Sequence, residues 1–313
     1  MDRFDTCSLD EPKIIRLNLI ERRIIMTDVN DIFVKDDFDF TQKWLSGFDF
    51  DAENAGELDL SELDIEIDIK NIDQYPNQEY ALLRKNGLGT SDSSIVLGVN
   101  PYNSRSDLIA EKCRDYLTED ELAVGDKSAV RKGRDLEPMI IYKHSQIMDR
   151  HVIKPIDMYR HKEYPYIKFN FDGVIDKLYN EDGTYQYIPD EIKVVTIYGV
   201  KHYQFDKAFF REHHGFSILP PHYEEENISI EGKAALYGIP PYYYTQLQQQ
   251  IFGLNAPYGF LTVLNEKNWE ICSFFVWRDQ KLINQLIIED SKVWNIIENK
   301  RPAGFDLGVE IKK

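Results

Sequence analysis

The sequence is poor in cysteine, in long apolar runs and in net positive charge, and each shortage removes a class of protein. Its three cysteines, Cys7, Cys113 and Cys272, are far apart. They supply neither a disulfide framework nor a CxxC metal pair, which argues against zinc or a four-cysteine iron–sulfur cluster within the chain. The seven histidines are scattered apart from His213-His214, which read as a solvated pair on a polar loop. No apolar run approaches the roughly 20 residues of a membrane helix. The N-terminus lacks the basic-then-apolar order of a signal peptide. The expectation is a cytoplasmic protein with no membrane partner.

The formal net charge is −17 over 313 residues, which taken whole argues against a nucleic-acid partner. Its distribution changes that reading. Residues 1–80 hold 21 acidic against 8 basic side chains, a net of −13, so the other 233 carry only −4. A nearly neutral body can still present a basic groove. What the chain has in quantity is apolar and aromatic side chains, 42% and 13%. That is enough for one large globular domain, or a domain plus an extension.

Residues 1–78 read as an acidic N-terminal extension. Asp36-Asp37-Phe38-Asp39-Phe40 and Phe48-Asp49-Phe50-Asp51 interleave acids with aromatics, and Leu63 to Ile69 alternates apolar with acidic as a half-buried strand does. Such an arm can pack a small strand on the body, dock a partner, or cover a basic groove by mimicking nucleic-acid charge. Pro76-Asn77 marks the boundary. Beyond it, the glycines of Asn86-Gly87-Leu88-Gly89-Thr90-Ser91-Asp92 permit a tight turn. Ser91 or Asp92 can cap the helix that follows from Ser93 to Leu97. Helix N-termini with nearby hydroxyls suit phosphate, although a plain capped turn explains this pattern as well.

A helix is expected over 106–116, with Leu108, Ile109, Lys112 and Cys113 inward. A second is expected over 135–148, with Pro138 in its first turn and Glu137 at the edge of the Leu136-Ile140-Ile141 face. Arg131, Lys132 and Arg134 lead into that helix and oppose its dipole, a hint that they serve a partner. Strands follow over 151–160 and 164–178. A hairpin turn at Asn180-Glu181-Asp182-Gly183 returns the chain through Tyr185 to Glu191-Ile192-Lys193. Pro189-Asp190 fits best on an edge strand or at a bulge. Residues 201–223 read as a long connection. Pro240-Pro241 and Gly253 bracket a helix with Gln246 and Gln250 on one side. A second hairpin (258–264 and 269–277), a helix over 279–298 and a tail over 301–313 complete an α+β domain with a central mixed sheet.

The chemistry concentrates where that first hairpin closes. Glu191 and Lys193 are two apart, so on a strand they leave the same face. Folding at the Asn180–Gly183 turn brings Asp172, of Phe171-Asp172-Gly173, beside them. Two carboxylates and a lysine there could hold a divalent cation and an activated water. Taken alone, a solvated edge strand explains the same pattern.

Six segments in order give the pattern its company. They are Arg84 with Gly87-Leu88-Gly89-Thr90-Ser91-Asp92; Leu97-Gly98-Val99-Asn100-Pro101-Tyr102; Gly133-Arg134-Asp135-Leu136-Glu137-Pro138; Phe171-Asp172-Gly173; Glu191-Ile192-Lys193; and Tyr244-Thr245-Gln246-Leu247-Gln248. Together they resemble the YqaJ-like viral recombinase and lambda-exonuclease group of the PD-(D/E)xK nuclease superfamily, over about Arg84 to Trp294. The resemblance implies an αββαβ restriction-endonuclease-like core, its mixed sheet flanked by helices, in a nuclease domain over 79–300. It implies that Glu137, Asp172, Glu191 and the Ile192 carbonyl bind one or two Mg²⁺ ions, with Mn²⁺ a possible substitute. Lys193 would orient the nucleophilic water, Gln246 would assist, and Arg84 and Ser91 would hold a 5′-phosphate.

The implied activity is 5′→3′ exonuclease digestion of one strand of linear double-stranded DNA, from its ends. The implied setting is phage-type recombination in the cytoplasm of a bacterial or phage-infected cell, beside a single-strand annealing protein. Some relatives form trimeric rings around the DNA. Nucleases of related type often carry a four-cysteine iron–sulfur cluster, for which this chain has no ligands. An endonuclease or nickase on the same fold is one alternative. A non-catalytic module binding DNA ends or protein through the acidic arm is another.

Overall fold

Every residue from Tyr258 to Asn265 is buried, as expected of an apolar, aromatic run with a strand on either side of it. The computed structural model describes residues 49–75, 77–124, 127–179, 185–195, 199, 202–203, 228–266 and 269–311. The acidic segment before residue 49, the turn at 180–183, His213-His214 and nearly all of 201–223 lie outside the described residues. The chain divides into units 1–49 and 50–313. Residues 50–78, expected in the extension, therefore belong to the same unit as everything after them.

The described helices are α1 (Phe50–Glu53), α2 (Asn77–Leu83), α3 (Ser93–Val96), α4 (Arg105–Lys112), α5 (Glu119–Val124), α6 (Ser128–Met148), α7 (Ile230–Leu236), α8 (Pro241–Gly253) and α9 (Gln280–Lys300). The strands are β1 (Ile65–Ile69), β2 (Leu88–Gly89), β3 (Val152–Ile153), β4 (Met158–His161), β5 (Ile167–Phe169), β6 (Gly173–Tyr179), β7 (Tyr185–Val195), β8 (Tyr258–Asn265) and β9 (Glu270–Trp277).

Two mixed sheets result, ordered β1-β4-β5-β2 and β3-β6-β7-β8-β9. In the five-stranded sheet only β7 and β8 run parallel. The crossover that a parallel pair requires contains α8, and α8 packs back on both strands. The succession α6, β6, β7, α8, β8 is the helix–strand–strand–helix–strand core expected from the sequence. The smaller sheet is an addition to it. In that sheet β1 pairs antiparallel with β4, so the acidic-apolar strand is built into the body. Its alternation is imperfect: Ile65 and Ile69 are buried, but Ile67 is exposed and the register shifts after it. Asp68 and Glu66 pair with Arg160, and Asp68 also with Lys168.

Further sequence expectations are corrected. The helix expected to start at Asp135 starts at Ser128, which puts Pro138 in its interior. Proline at 138 has no N–H to give its own turn. The Pro138 carbonyl is tied sideways by the Asn54 amide at 2.7 Å, so α1 and α6 meet there. Arg131, Lys132 and Arg134 accordingly lie along α6, and Lys132 pairs with Glu266. Pro189 is not on an edge. It lies in β7, between β6 and β8, opposite Val174 of β6, and the register becomes irregular after the next pair, Ile175 with Ile188. The tail is held as well: the Arg301 guanidinium stacks on Trp294 and Phe305, and Val309 packs on the Ile69-Tyr75-Leu83-Met158 cluster.

The run expected as a single strand over 164–178 is two strands in different sheets, β5 and β6. The chain changes sheet at Asn170–Asp172. That change puts Asp172 at the seam, where both sheets, α2 and α6 converge on the candidate site. No helix among the described residues is long and apolar enough to cross a membrane.

Candidate active site

Three groups are assembled by the pairing of β6 with β7. Gly173 pairs with Asp190, so the preceding Asp172 falls opposite Glu191. Asp172 Oδ2 accepts from the Ile192 N–H at 3.0 Å and from Lys193 Nζ at 3.3 Å. The same ammonium donates to Glu191 Oε1 and, at 2.9 Å, to the Ile192 carbonyl. Lys193 Nζ therefore stands where the Asp172, Glu191 and Ile192 oxygens converge.

Helix α8 closes the site from above β7. Gln246 Nε2 donates to Glu191 Oε1 at 2.5 Å, and Gln250 Nε2 donates to Oε2 at 2.5 Å. The two amides are four residues apart and so share a helix face. Tyr243, one turn earlier than Leu247, lies under the lysine, its ring centroid 5.4 Å from Nζ. Glu137 approaches from α6, with Lys154 Nζ at 3.7 Å from its Oε1.

The electrostatics follow from crowding negative charge in a dry place. Burial pushes the Glu137 carboxyl far above the usual range, and Asp172 pushes it further. Glu191 is raised for the same two reasons, against the pull of Lys193. Burial alone would lower Lys193, but Asp172 and Glu191 outweigh it and hold the ammonium firmly charged. Among the described residues no three His, Cys, Asp or Glu side chains already stand close enough to hold a metal ion. The carboxylates close on the lysine instead. The donor set is nonetheless entirely oxygen, the kind a hard divalent cation takes, and two of its carboxyls resist ionisation for want of positive charge.

Arg84 and Ser91 also come together: Arg84 Nη2 donates to Ser91 Oγ at 3.1 Å, with both side chains exposed. Their turn is anchored from below by Lys112, 2% exposed, which donates to the Arg84 carbonyl and pairs with Asp92, each at 3.0 Å. Asp92 Oδ2 in turn accepts from the Gly89 N–H at 2.9 Å. The turn reaches the carboxylate cluster through Tyr80, whose hydroxyl accepts from Asn170 at 3.0 Å. Burial raises the Tyr80 hydroxyl; Arg84 opposes that rise and Asp172 adds to it, so all three are within electrostatic reach.

All seven side chains expected at the site are thus in one neighbourhood, with the Ile192 carbonyl. Four contributors were not foreseen in their roles. Gln250 holds the second oxygen of Glu191, Lys154 faces Glu137, Tyr243 underlies Lys193, and Lys112 braces the Arg84 turn. The Gln246–Gln250 spacing was the readable signal for the first, and the inward side of α4 for the last. Lys154 and Tyr243 depend on long-range packing and left no local trace.

The family model of the YqaJ-like viral recombinase domain matches residues 79–252. That is more than half of the chain, and the chain belongs to this family of recombination-related nucleases acting on DNA. No curated protein matches it. Among solved structures, an alkaline exonuclease from Laribacter hongkongensis, LHK-Exo, aligns at 14% identity and a TM-score of 0.45, over 72% of this chain and 94% of that one. The same exonuclease with dAMP aligns at 13% and 0.46, over the same shares. The shutoff and exonuclease protein of Kaposi's sarcoma-associated herpesvirus aligns at 8% and 0.37, over 70% and 68%.

Proposed function

We propose that the chain is a Mg²⁺-dependent exonuclease that digests one strand of linear duplex DNA in the 5′→3′ direction. On this reading it supplies single strands to an annealing partner during recombination. The observation that carries it is the convergence of the Asp172 and Glu191 carboxylates and the Ile192 carbonyl on one positive point. Glu137 lies within electrostatic reach, and the Arg84–Ser91 pair stands at the other end of the same neighbourhood.

Glu137, Asp172, Glu191 and the Ile192 carbonyl would hold the cation, and Mn²⁺ should substitute for it. Bound there, the cation supplies charge neutralisation at phosphorus and an activated water. The protein's own groups do the rest. Gln246 and Gln250 keep the Glu191 carboxylate from rotating. Lys193, released from the oxygens it now bridges, brings a mobile positive donor to the water and the scissile phosphate. Arg84 and Ser91 receive a terminal 5′-phosphate through a guanidinium fork and a hydroxyl, which sets polarity by fixing the end that enters.

The test uses Mg²⁺ and three substrates: 5′-phosphorylated linear duplex, 5′-hydroxyl linear duplex and covalently closed circles. Fastest loss of the first and no loss of circles is expected. Circles cut as fast as linear DNA would instead make the protein an endonuclease. Wild type and Lys193→Ala equally inert on all three would make it a binding module.

A further inference from the structure

A cavity of about 200 Å³ opens at the N-terminal end of α8, lined by Ile239, Pro240, Pro241 and Tyr242 and flanked by His202 and Glu231. Nothing in the chemistry above uses it. Its position is nevertheless tied to the site. Tyr242 and Gln246 are one helical turn apart on α8, a rise of about 5.4 Å, and Gln246 touches Glu191. The connection is also aromatic and continuous. Tyr243, under Lys193, meets Tyr242 edge-on at 4.5 Å between centroids, and Tyr242 meets Tyr102 at 6.0 Å. Tyr203 stacks on Tyr243 from the other side at 6.4 Å. A row of rings thus runs from the lysine to Tyr102, which is 74% exposed.

We infer that this cavity is a subsite for an unpaired nucleobase, that of the 5′-terminal nucleotide, with Tyr242 as its stacking partner. The inference rests on the nuclease reading and specifies how that site grips its substrate. Three features select a base over other occupants. The lining of proline, isoleucine and tyrosine offers flat apolar surface, which suits the π-face of any base. The Glu231 carboxylate at the rim repels a phosphate but can accept from an exocyclic amine, and His202 adds a second polar edge. The one-turn offset from Gln246 matches the separation of a nucleotide's base from its phosphate. A phosphate beside Lys193 therefore leaves the base at the cavity mouth. Tyr242 is a positioning residue here: it orients the nucleotide and touches no reacting atom.

The experiment measures binding apart from cleavage. A 5′-phosphorylated duplex carries 2-aminopurine as its terminal base and non-hydrolysable linkages in its first positions. With wild type in Mg²⁺ its fluorescence should be quenched on binding. Tyr242→Ala should abolish the quenching and weaken binding about tenfold, the order expected for one lost base–aromatic stack; Tyr242→Phe should keep both. Removing the terminal base should weaken wild type to the level of Tyr242→Ala, and cost Tyr242→Ala nothing more.

Equal penalties for Tyr242→Ala on intact and abasic ends would overturn the subsite, because a general structural defect does not depend on the base. Absence of quenching by wild type would overturn it also. The two readings fail separately. Quenching by a wild type that hydrolyses no DNA would sink the nuclease reading and keep the base subsite, whereas hydrolysis without quenching would do the reverse.

Discussion

Asp190 and Glu191 follow one another on β7 and both are fully buried, yet their side chains leave opposite faces and meet opposite surroundings. Toward α6, Asp190 Oδ2 lies 2.6 Å from His144 Nδ1, and its Oδ1 accepts from Thr262 Oγ1 at 2.6 Å. Thr262 Oγ1 is itself 3.1 Å from Ser273 Oγ. This is a closed polar network that spans a helix and three strands. Toward α8, Glu191 meets a cation and two amides and lies within the field of two more carboxylates. One acid is satisfied and braces the sheet; the other is left short of positive charge. The difference teaches that burial alone does not decide how a carboxyl is held; the charges and donors around it do.

The largest expected effect separates the two faces by activity. Glu191→Gln should lower the rate of DNA hydrolysis at least about 100-fold, a loss of the size seen when one charge-stabilising group is removed from an active site. The thermal midpoint should move less than for any change that opens the Asp190 network. Activity within a factor of a few of wild type would remove Glu191 from the mechanism.

Next comes stability on the other face. Asp190→Ala leaves His144 and Thr262 buried without their acceptor and should cost about 3–5 kcal/mol, as for a broken buried pair. Denaturant melts would read it. A cost near zero would mean the network is already wet.

A smaller effect distinguishes the faces by pH. Glu137 and Glu191 are raised in the folded protein to about 8 and about 7, first by burial and then by Asp172. A carboxyl with a folded pKa above its unfolded one contributes stability at low pH and loses it as pH rises through the folded value. In the presence of a chelator the thermal midpoint should therefore fall as pH climbs from about 4.5 to about 8 and level off above that. Mg²⁺ should flatten that fall, and so should Glu191→Gln in part. A midpoint indifferent to both pH and Mg²⁺ would contradict the cluster. The smallest effect is Ser273→Ala, which removes one hydrogen bond from the quiet face. It should cost about 1 kcal/mol and leave hydrolysis unchanged.

Much of this was legible in the chain. Proline–glycine brackets marked α8, the amphipathic pattern marked α9, and a polar turn between two apolar runs marked β8 and β9. Six short motifs in order marked the site residues. The misreadings share a cause. Pro138 and Pro189 were read by local rules that confine proline to helix starts and sheet edges, but packing from elements distant in sequence can hold it elsewhere. Asn54, 84 residues away, holds the Pro138 carbonyl. The single strand expected over 164–178 is two because the alternation of Ile167, Phe169 and Phe171 with Lys168, Asn170 and Asp172 runs on through the change of sheet.

By itself the sequence determined which residue types stood at which spacing: a carboxylate and a lysine two apart on a strand, two amides four apart on a helix, an arginine seven residues before a serine. Those follow from the periods of strand and helix, which are local. Only the tertiary structure decided that Asp172 sits at the seam of two sheets. It also decided that Glu191 rather than Asp190 faces α8, and that the charge in need of a partner lies on one side of β7 alone. The direction of a side chain on a central strand is set by which elements cover its two faces, and those elements come from residues tens to a hundred positions away.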